Sequence, residues 1–255
     1  MKSYRHMLFC LLALIGLGSC HKEDKAPFSP RSFQSSFETE EDFAGFYITP
    51  QGHKETTFHD LSDSIVHSGS LAHRAWITGV NPPSVTENNN HRGYPTIQLQ
   101  HFPGGPFETP CLITLWVWLD MELSANPEGI DDWFSFATFT PDVSDEWNRT
   151  VLVNLSHEGF VHLQHVPVQG AQEHLFQTSS LPFPQGEWVE LTVYLDFSEA
   201  GYAKVWQNGT LVSHANVRNV QNQLGQAHFG MYAPPRVASG MVFNDDLRIE
   251  MVEGE

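Results

Sequence analysis

Residues 202–214, Tyr-Ala-Lys-Val-Trp-Gln-Asn-Gly-Thr-Leu-Val-Ser-His, decide the fold class of this chain. Two β-rich runs, 202–207 and 210–214, flank the dipeptide Asn208-Gly209. A type I′ turn needs positive φ at both central residues, which Asn and Gly tolerate, so the stretch predicts a two-residue β-hairpin. In the first run, Tyr202, Lys204 and Trp206 alternate with small apolar residues. One face of this hairpin is therefore apolar, and the other is polar and aromatic.

Similar short runs, separated by Gly, Pro, Asn and Asp, fill residues 37–255, and none has a sustained helical period. They are 95–102, 112–119, 133–140, 150–155, 159–166, 188–196, 226–232 and 240–250. Many short strands with frequent turns predict one all-β domain over 37–255, a two-sheet antiparallel jelly-roll sandwich. In most runs one face is aliphatic, and these faces are expected to pack the two sheets together.

The other faces of the runs predict a polar-aromatic surface. Trp and Tyr rings stack on the apolar faces of sugars, while amide, imidazole and ammonium groups bond their hydroxyls. We therefore expect a polysaccharide or oligosaccharide partner; the alternative is that these side chains only cover the outside of the sandwich. The predicted binding residues are His91, Tyr94, Gln100, Trp116, Trp118, Gln164, Lys204, Trp206 and His228.

Several segments resemble the concanavalin A-like lectin/glucanase superfamily, in its LamG-like or polysaccharide-lyase-like members. The C-terminal segments are Gly186-Glu187-Trp188, the run 202–209 with its V-W-x-N-G pattern, His228–Tyr232 with G-x-Y, and the last strand Asn244–Ile249. Phe37-Glu38 and His67–Ser70 are similar to the first strands of carbohydrate-binding jelly rolls. The resemblance implies a concanavalin A-like jelly roll and leaves the activity open among a glycan-binding module, a lyase and a non-catalytic structural protein.

Polysaccharide lyases of that superfamily provide the enzymatic alternative. β-Elimination on a uronate needs a group that offsets the carboxylate, a base for the C5 proton and an acid for the leaving oxygen. Suitable residue types are Arg92 with Gln98 for the carboxylate, His162 or His91 as the base and Tyr232 as the acid. Gly230 and Tyr232 match the end motif of the alginate lyases, whose Lys position is occupied here by His228.

Residues 1–19 are typical of a lipoprotein signal peptide. Lys2 and Arg5 precede an apolar run, 7–17, that is too short to span a bilayer. Leu17-Gly18-Ser19-Cys20 resembles a bacterial lipobox, which implies lipidation of Cys20. The charged residues after Cys20 resemble the export signal of Bacteroidetes-type surface lipoproteins. We expect residues 20–36 to be a lipidated tether and the protein to be exported, anchored to the outer membrane through this lipid alone and displayed on the cell surface.

The charge balance excludes one class of partner. The chain has 30 acidic residues against 13 Lys and Arg, and loss of residues 1–19 removes two cations and no acid, which changes the formal charge from −17 to −19. Such a surface repels the phosphate backbone, so no nucleic-acid partner is expected. No disulfide is expected either, because Cys111 is the one thiol left once Cys10 is removed and Cys20 is lipidated.

No cofactor is predicted to be required. Glu38, Asp245 and Asp246 are oxygen donors near the predicted first and last strands, where jelly-roll modules often hold a structural Ca²⁺. The alternative interpretation of these acids is polar capping of an ordinary turn.

Overall fold

A computed structural model describes residues 30–39, 46–48, 56–84, 88–144, 148–167, 174–217 and 221–254. The predicted signal peptide, Cys20 and the tether up to residue 29 lie outside the described residues. Within these described ranges, no helix has the length and apolar character needed to cross a membrane.

Nineteen strands and a 3-10 turn at Leu99–His101 make up the described regular structure. The strands are β1 Ser32–Ser35, β2 Phe46–Ile48, β3 Thr57–Ser62, β4 Ala72–Ile77, β5 His91–Gly93, β6 Pro95–Gln98, β7 Phe107–Glu108, β8 Cys111–Asp120, β9 Trp133–Thr140, β10 Thr150–Ser156, β11 Val161–Val166, β12 His174–Phe176, β13 Trp188–Leu195, β14 Tyr202–Gln207, β15 Thr210–Asn216, β16 Gln223–Leu224, β17 Gln226–Phe229, β18 Met231–Ala233 and β19 Gly240–Met251.

Two antiparallel sheets form a jelly-roll sandwich, as the sequence predicts. Sheet A has the strand order β15-β14-β13-β8-β19-β4-β3, and β1 pairs with the C-terminal half of β19. Sheet B has the order β12-β11-β10-β9-β17-β6-β2. The pairs β18-β5 and β16-β7 are short additional sheets.

The core lies between the two sheets because each contributes one apolar face. On β8, buried Ile113, Leu115 and Val117 alternate with half-buried residues on the outer face of sheet A. Sheet B contributes Phe139 and Phe229, whose rings lie 5.9 Å apart with edge-to-face geometry. Full burial of such a side chain stabilises the fold by about 1.5–3 kcal/mol.

The Asn208-Gly209 hairpin is confirmed. Asn208 has φ +47° and Gly209 has φ +75°, as a type I′ turn requires. Cys111 is fully buried in the core, and this burial raises the pKa of its thiol to about 12.

Two predicted boundaries differ from the structure. β1 lies inside the predicted tether 20–36, so the folded part begins before residue 37. Arg31 holds this entry point: its guanidinium donates to four carbonyl oxygens of residues 103–106 at 2.9–3.1 Å and lies 4.6 Å over the Phe107 ring. The predicted strand 95–102 ends at Gln98, and the following 3-10 turn removes Gln100 from the face that Gln98 occupies.

Candidate functional site

One face of sheet B is polar, and it continues past the end of β6 and β17 onto the β5-β18 pair. The register places Gln98 opposite Gln226, Thr96 opposite His228, and Arg92 opposite Tyr232. Because side chains alternate along a strand, Arg92, Tyr94 and Thr96 lie on the same face as His228 and Tyr232. We call this surface the polar face of sheet B.

Gly230 allows the polar face to continue between β17 and β18. It has φ +119°, and a Cβ there would lie 2.7 Å from the Gly93 carbonyl oxygen and 3.1 Å from the Tyr94 Cβ. Any larger residue would therefore have to displace β5. The space beside Gly230 is available to the ring of Tyr94.

Four side chains meet at this position, Arg92, Tyr94, His228 and Tyr232, and we call them the Tyr-His-Arg cluster. The rings of Tyr94 and His228 are stacked, with centroids 4.0 Å apart and an interplanar angle of 18°. The Tyr232 ring lies edge-on, 5.8 Å from His228 and 6.0 Å from Tyr94. The Arg92 guanidinium carbon is 5.7 Å from the centroid of the Tyr232 ring.

Trp133 and Asn90 border the cluster on its outer side. The Trp133 ring lies 5.0 Å from that of Tyr232, and the Asn90 amide donates to the Tyr232 hydroxyl at 3.2 Å. Tyr232 is half-buried, whereas His228 is only 6% exposed. Tyr232 and Arg92 are therefore the cluster residues that solvent or a ligand reaches first.

Burial keeps the cluster in defined protonation states. Desolvation, assisted by the positive charge of Arg92, lowers the pKa of His228 to about 3, so the imidazole is neutral at physiological pH. Burial also raises the pKa of Tyr94 well above its usual range, against the opposing effect of Arg92, so its phenol stays protonated. The cluster thus offers one cation, one neutral imidazole and a phenol that can donate.

Amides and hydroxyls extend the polar face across β9, β10 and β11. The Asn154 amide donates to the Gln164 side-chain oxygen. The Asn154 Oδ1 and the Thr138 Oγ1 are buried and have no hydrogen-bond partner among the described residues. Buried polar atoms normally have partners, so each of these two oxygens can accept a further hydrogen bond, although neither is exposed at the surface.

His162 also lies on the polar face, but at a distance from the cluster. Its strand, β11, is separated from β17 by β10 and β9, which corresponds to about 14 Å at the usual strand spacing. Burial lowers the pKa of His162. One sugar cannot place its C5 proton at His162 and its leaving oxygen at Tyr232 over that separation.

Two parts of the predicted lyase site are corrected by the geometry. His91 points away from the cluster, since it is fully buried and its Nδ1 lies 2.7 Å from the Thr57 hydroxyl. Gln98 lies six residues beyond Arg92, about 20 Å along extended chain, so the two cannot hold one carboxylate. His228, which the sequence suggests only as a binding residue, is the imidazole that lies beside Tyr232.

The predicted binding residues are divided between two surfaces. Tyr94, Gln164 and His228 lie on the polar face of sheet B. Trp116, Trp118, Lys204 and Trp206 lie on the outer face of sheet A, on the other side of the sandwich. The prediction of a single polar-aromatic surface is therefore wrong. Alternation along a strand shows which side chains share a face, but it does not show which of the two sheets the strand joins.

The three predicted calcium ligands hold the turn His67–Ser70. Asp245 accepts from the backbone N–H groups of His67 and Ser68 at 3.0 and 3.1 Å, and Glu38 accepts from that of Ser70 at 3.0 Å. Asp246 accepts from the Ser68 hydroxyl and lies 2.7 Å from the His67 Nδ1.

Hydrogen-bond donors thus already occupy these carboxylates. Asp245, Asp246 and His67 can each present one ligand atom within 4.8 Å of the others, but N–H groups directed at the same oxygens are a poor fit to Ca²⁺. The geometry favours the capped turn, and the calcium site stays a prediction.

Comparisons with known proteins show the fold alone. No protein-family model matches the chain, and no curated protein matches it. Among solved structures, the chain is similar to an endo-β-1,4-glucuronan lyase from the fungus Trichoderma reesei, with TM-score 0.55, 11% identity, and coverage of 77% of this chain and 87% of that one. It is also similar to the cellulose induced protein Cip1, with TM-score 0.59, 15% identity, and coverage of 85% and 96%. The alginate lyase Aly36B gives TM-score 0.51, 12% identity, and coverage of 90% and 95%. The chain therefore has a jelly-roll fold that these polysaccharide lyases share.

Proposed function

We propose that this protein is a polysaccharide lyase that cleaves a uronate-containing glycan by β-elimination at the Tyr-His-Arg cluster. One observation carries the proposal: a guanidinium, a neutral imidazole and two phenols converge on one face of sheet B. These are the groups that the reaction needs, and they lie on the fold that glucuronan and alginate lyases also have.

Arg92 is the group proposed to bind the uronate carboxylate. No carboxylate within the described ranges forms an ion pair with it, although the chain has a formal charge of −17. A guanidinium binds a carboxylate through two parallel hydrogen bonds and withdraws charge from it. Offsetting this charge makes the neighbouring C5 proton more acidic, because the carbanion that forms is stabilised.

His228 is the proposed base and Tyr232 the proposed acid. A bound carboxylate raises the pKa of a nearby buried imidazole, since it stabilises the protonated form. Both ring nitrogens of His228 are buried and Tyr94 is stacked on the ring, so the proposal requires substrate binding to expose one nitrogen. His228 then takes the C5 proton, the C5–H electron pair forms the C4–C5 double bond, and the C4–O bond breaks. Tyr232 gives its hydroxyl proton to the leaving oxygen, and the proton on His228 restores Tyr232 through solvent.

The remaining polar face is proposed to bind the neighbouring sugars. Gln164 is half-buried on this face and is the group that a sugar hydroxyl can reach, while the buried Asn154 amide donates to its side-chain oxygen. His162 is proposed to bind these neighbouring sugars and to take no part in the reaction, because it is too far from Tyr232.

Glycan binding without cleavage is the second candidate function. It is favoured by the pKa of His228, which at about 3 makes the imidazole a weak base until a carboxylate arrives. In that case the same residues bind the sugar, and no bond breaks. A structural lipoprotein without a glycan ligand is the third candidate.

The test is the ultraviolet absorbance of the C4–C5 double bond, followed with alginate, pectate, glucuronan and glycosaminoglycans. Wild-type protein is expected to cleave one of them, and Tyr232→Phe and Arg92→Ala to lose about 10²–10⁴-fold in rate. Tyr202→Phe, a matched change on the outer face of sheet A, should cleave normally. Retention of a uronate glycan without cleavage would favour the second candidate. Neither cleavage nor retention would favour the third.

We also propose that Cys20 carries the lipid anchor and that the protein is displayed on the outer membrane. The lipobox-like residues 17–20 and the charged residues after them support this location. Wild-type protein expressed in its host should partition into the detergent phase, and Cys20→Ser should not. Equal partitioning of both proteins would contradict lipidation at this residue.

A further inference from the structure

The outer face of sheet A carries a second group of aromatic residues. Trp188, Tyr194 and Trp206 are half-buried there, while their strand neighbours Val189 and Val205 are fully buried in the core. Polar side chains lie between the rings. We call this surface the aromatic platform: Trp188, Glu190, Thr192, Tyr194, Lys204 and Trp206.

The platform follows from the register of β13 and β14. Trp206 lies opposite Thr192, and Lys204 lies opposite Tyr194. Tyr194 and Trp206 are diagonal neighbours, whose backbones are about 7–8 Å apart. Trp188 lies six residues from Tyr194 on β13, so the platform extends about 20 Å along that strand.

Contacts on both sides hold the rings in place. His67 stacks on Trp116 with centroids 3.8 Å apart and meets Trp188 edge-on at 5.5 Å, while Asp246 fixes its imidazole. At the other end, the Lys204 ammonium lies 5.4 Å from the Tyr194 ring and 5.6 Å from the Tyr202 ring. Rings that are already ordered lose little conformational entropy when they bind a ligand.

Polar groups within reach of the rings complement the stacking surface. The Thr192 hydroxyl lies 3.4 Å from the Glu190 carboxylate, and the backbone N–H of Glu190 is held by the Asn208 side chain at 2.9 Å. A carboxylate and hydroxyls between aromatic rings are the groups that bond sugar hydroxyls while the rings stack on C–H faces.

We propose that the aromatic platform is a second glycan-binding surface, on the side of the sandwich opposite the Tyr-His-Arg cluster, and that it takes a neutral polysaccharide chain. Glu190 lies near its centre, and the negative charge of this carboxylate opposes a polyuronate at this surface. The same negative charge opposes the docking of a second copy of this protein. This binding does not depend on whether the cluster cleaves its substrate.

Affinity electrophoresis of the full chain tests the proposal, with hydroxyethylcellulose, xyloglucan, galactomannan and a soluble β-1,3-glucan in the gel. At least one should retard the wild-type protein. Trp206→Ala and Trp188→Ala should weaken that retention about tenfold. Trp206→Tyr should retain most of it, because it keeps a ring that can stack.

Two matched controls separate this surface from others. Trp76→Ala alters the same residue type near the opposite edge of sheet A, where Trp76 stacks on Phe58 and Arg74, and should bind as wild type. Tyr232→Phe should also bind normally even if it abolishes cleavage. Conversely, Trp206→Ala should leave cleavage of a short uronate oligosaccharide unchanged.

Several outcomes would overturn the proposal. They are no retardation of the wild-type protein in any gel, equal weakening by Trp76→Ala, or loss of retention in Tyr232→Phe. Sedimentation showing a dimer that Trp206→Ala dissociates would assign the platform to self-association instead. Failure of the lyase proposal would appear only in the absorbance assay, so the two results are distinguishable.

Discussion

Acidification should destabilise this protein through His228, and the size of the effect can be worked out from its burial. The pKa of His228 is about 3 in the folded protein, against 6.5 for an ordinary histidine. Because the pKa is lower in the folded protein, His228 does not reduce the free energy of unfolding above pH 6.5. That free energy decreases as the pH falls from 6.5 towards 3. At pH 5 the unfolded chain holds this proton and the folded chain does not. Linkage then gives a loss of about 2 kcal/mol relative to pH 7.5 from this one residue.

Urea unfolding at pH 7.5 and pH 5.0 measures this loss. His228→Asn removes the titrating group together with the ring that stacks on Tyr94, so its stability is lower at both pH values. The informative quantity is the difference between the two pH values. We expect that difference to be about 2 kcal/mol smaller in the variant than in wild type.

Phe229→Leu is the matched control, because it perturbs the same strand without changing a titrating group. It should keep the full wild-type dependence on pH. The acidic residues and the other buried histidines are common to all three proteins and cancel in the comparison. If His228→Asn and wild type lost the same free energy between pH 7.5 and 5.0, the burial of a neutral His228 would be refuted.

Three further predictions concern the framework around the two surfaces. Gly209→Ala should lower the free energy of unfolding in urea by about 1 kcal/mol, because φ is +75° at this turn position. Gly79→Ala is the control, since Gly79 has no positive φ, and it should cause no such loss. Equal losses in the two variants would contradict the turn assignment. Arg31→Lys should lower the free energy of unfolding by about 1–2 kcal/mol, since an ammonium cannot form all four hydrogen bonds that the guanidinium donates to carbonyl oxygens. An unchanged urea midpoint would show that these hydrogen bonds contribute little to stability. Asp245→Asn should lower the free energy of unfolding by about 1–3 kcal/mol, because it weakens the hydrogen bonds from the backbone N–H groups of His67 and Ser68. If the turn holds no metal, EDTA should leave the wild-type melting temperature unchanged. A rise in that temperature on adding CaCl₂ would instead support the calcium site.

The fold was largely predictable because its long strands have one clear apolar face. β8 and β13 alternate strictly between core and outer face. The Asn208-Gly209 turn pairs Gln207 with Thr210, although a bulge between Val205 and Trp206 then shifts the register of β14 and β15. Short strands carry less information. β1 has four residues and its position depends on pairing with β19, more than two hundred residues later, so no local pattern distinguishes it from a linker.

The candidate site was predictable in its residue types but not in its grouping. Arg92, Tyr94, His228 and Tyr232 are all conspicuous in the sequence, yet their assembly depends on the pairing of β5 with β18 and β6 with β17. The sequence groups Gln98 and His91 with Arg92 by residue type and by the sorting of faces within strands. Alternation turns His91 to the opposite face, and extended geometry carries Gln98 too far along the strand.

The pairing of β1 with β19 brings the two ends of the described fold together. The backbone N–H of Met251 donates to the Arg31 carbonyl at 2.9 Å, so the chain enters the sandwich beside the point where it leaves. A few added residues could therefore join the ends, and a new opening at the exposed Asn208-Gly209 turn would leave the strand pairing of both sheets intact. By the same geometry, the whole domain can be inserted as a cassette into a surface loop of another protein.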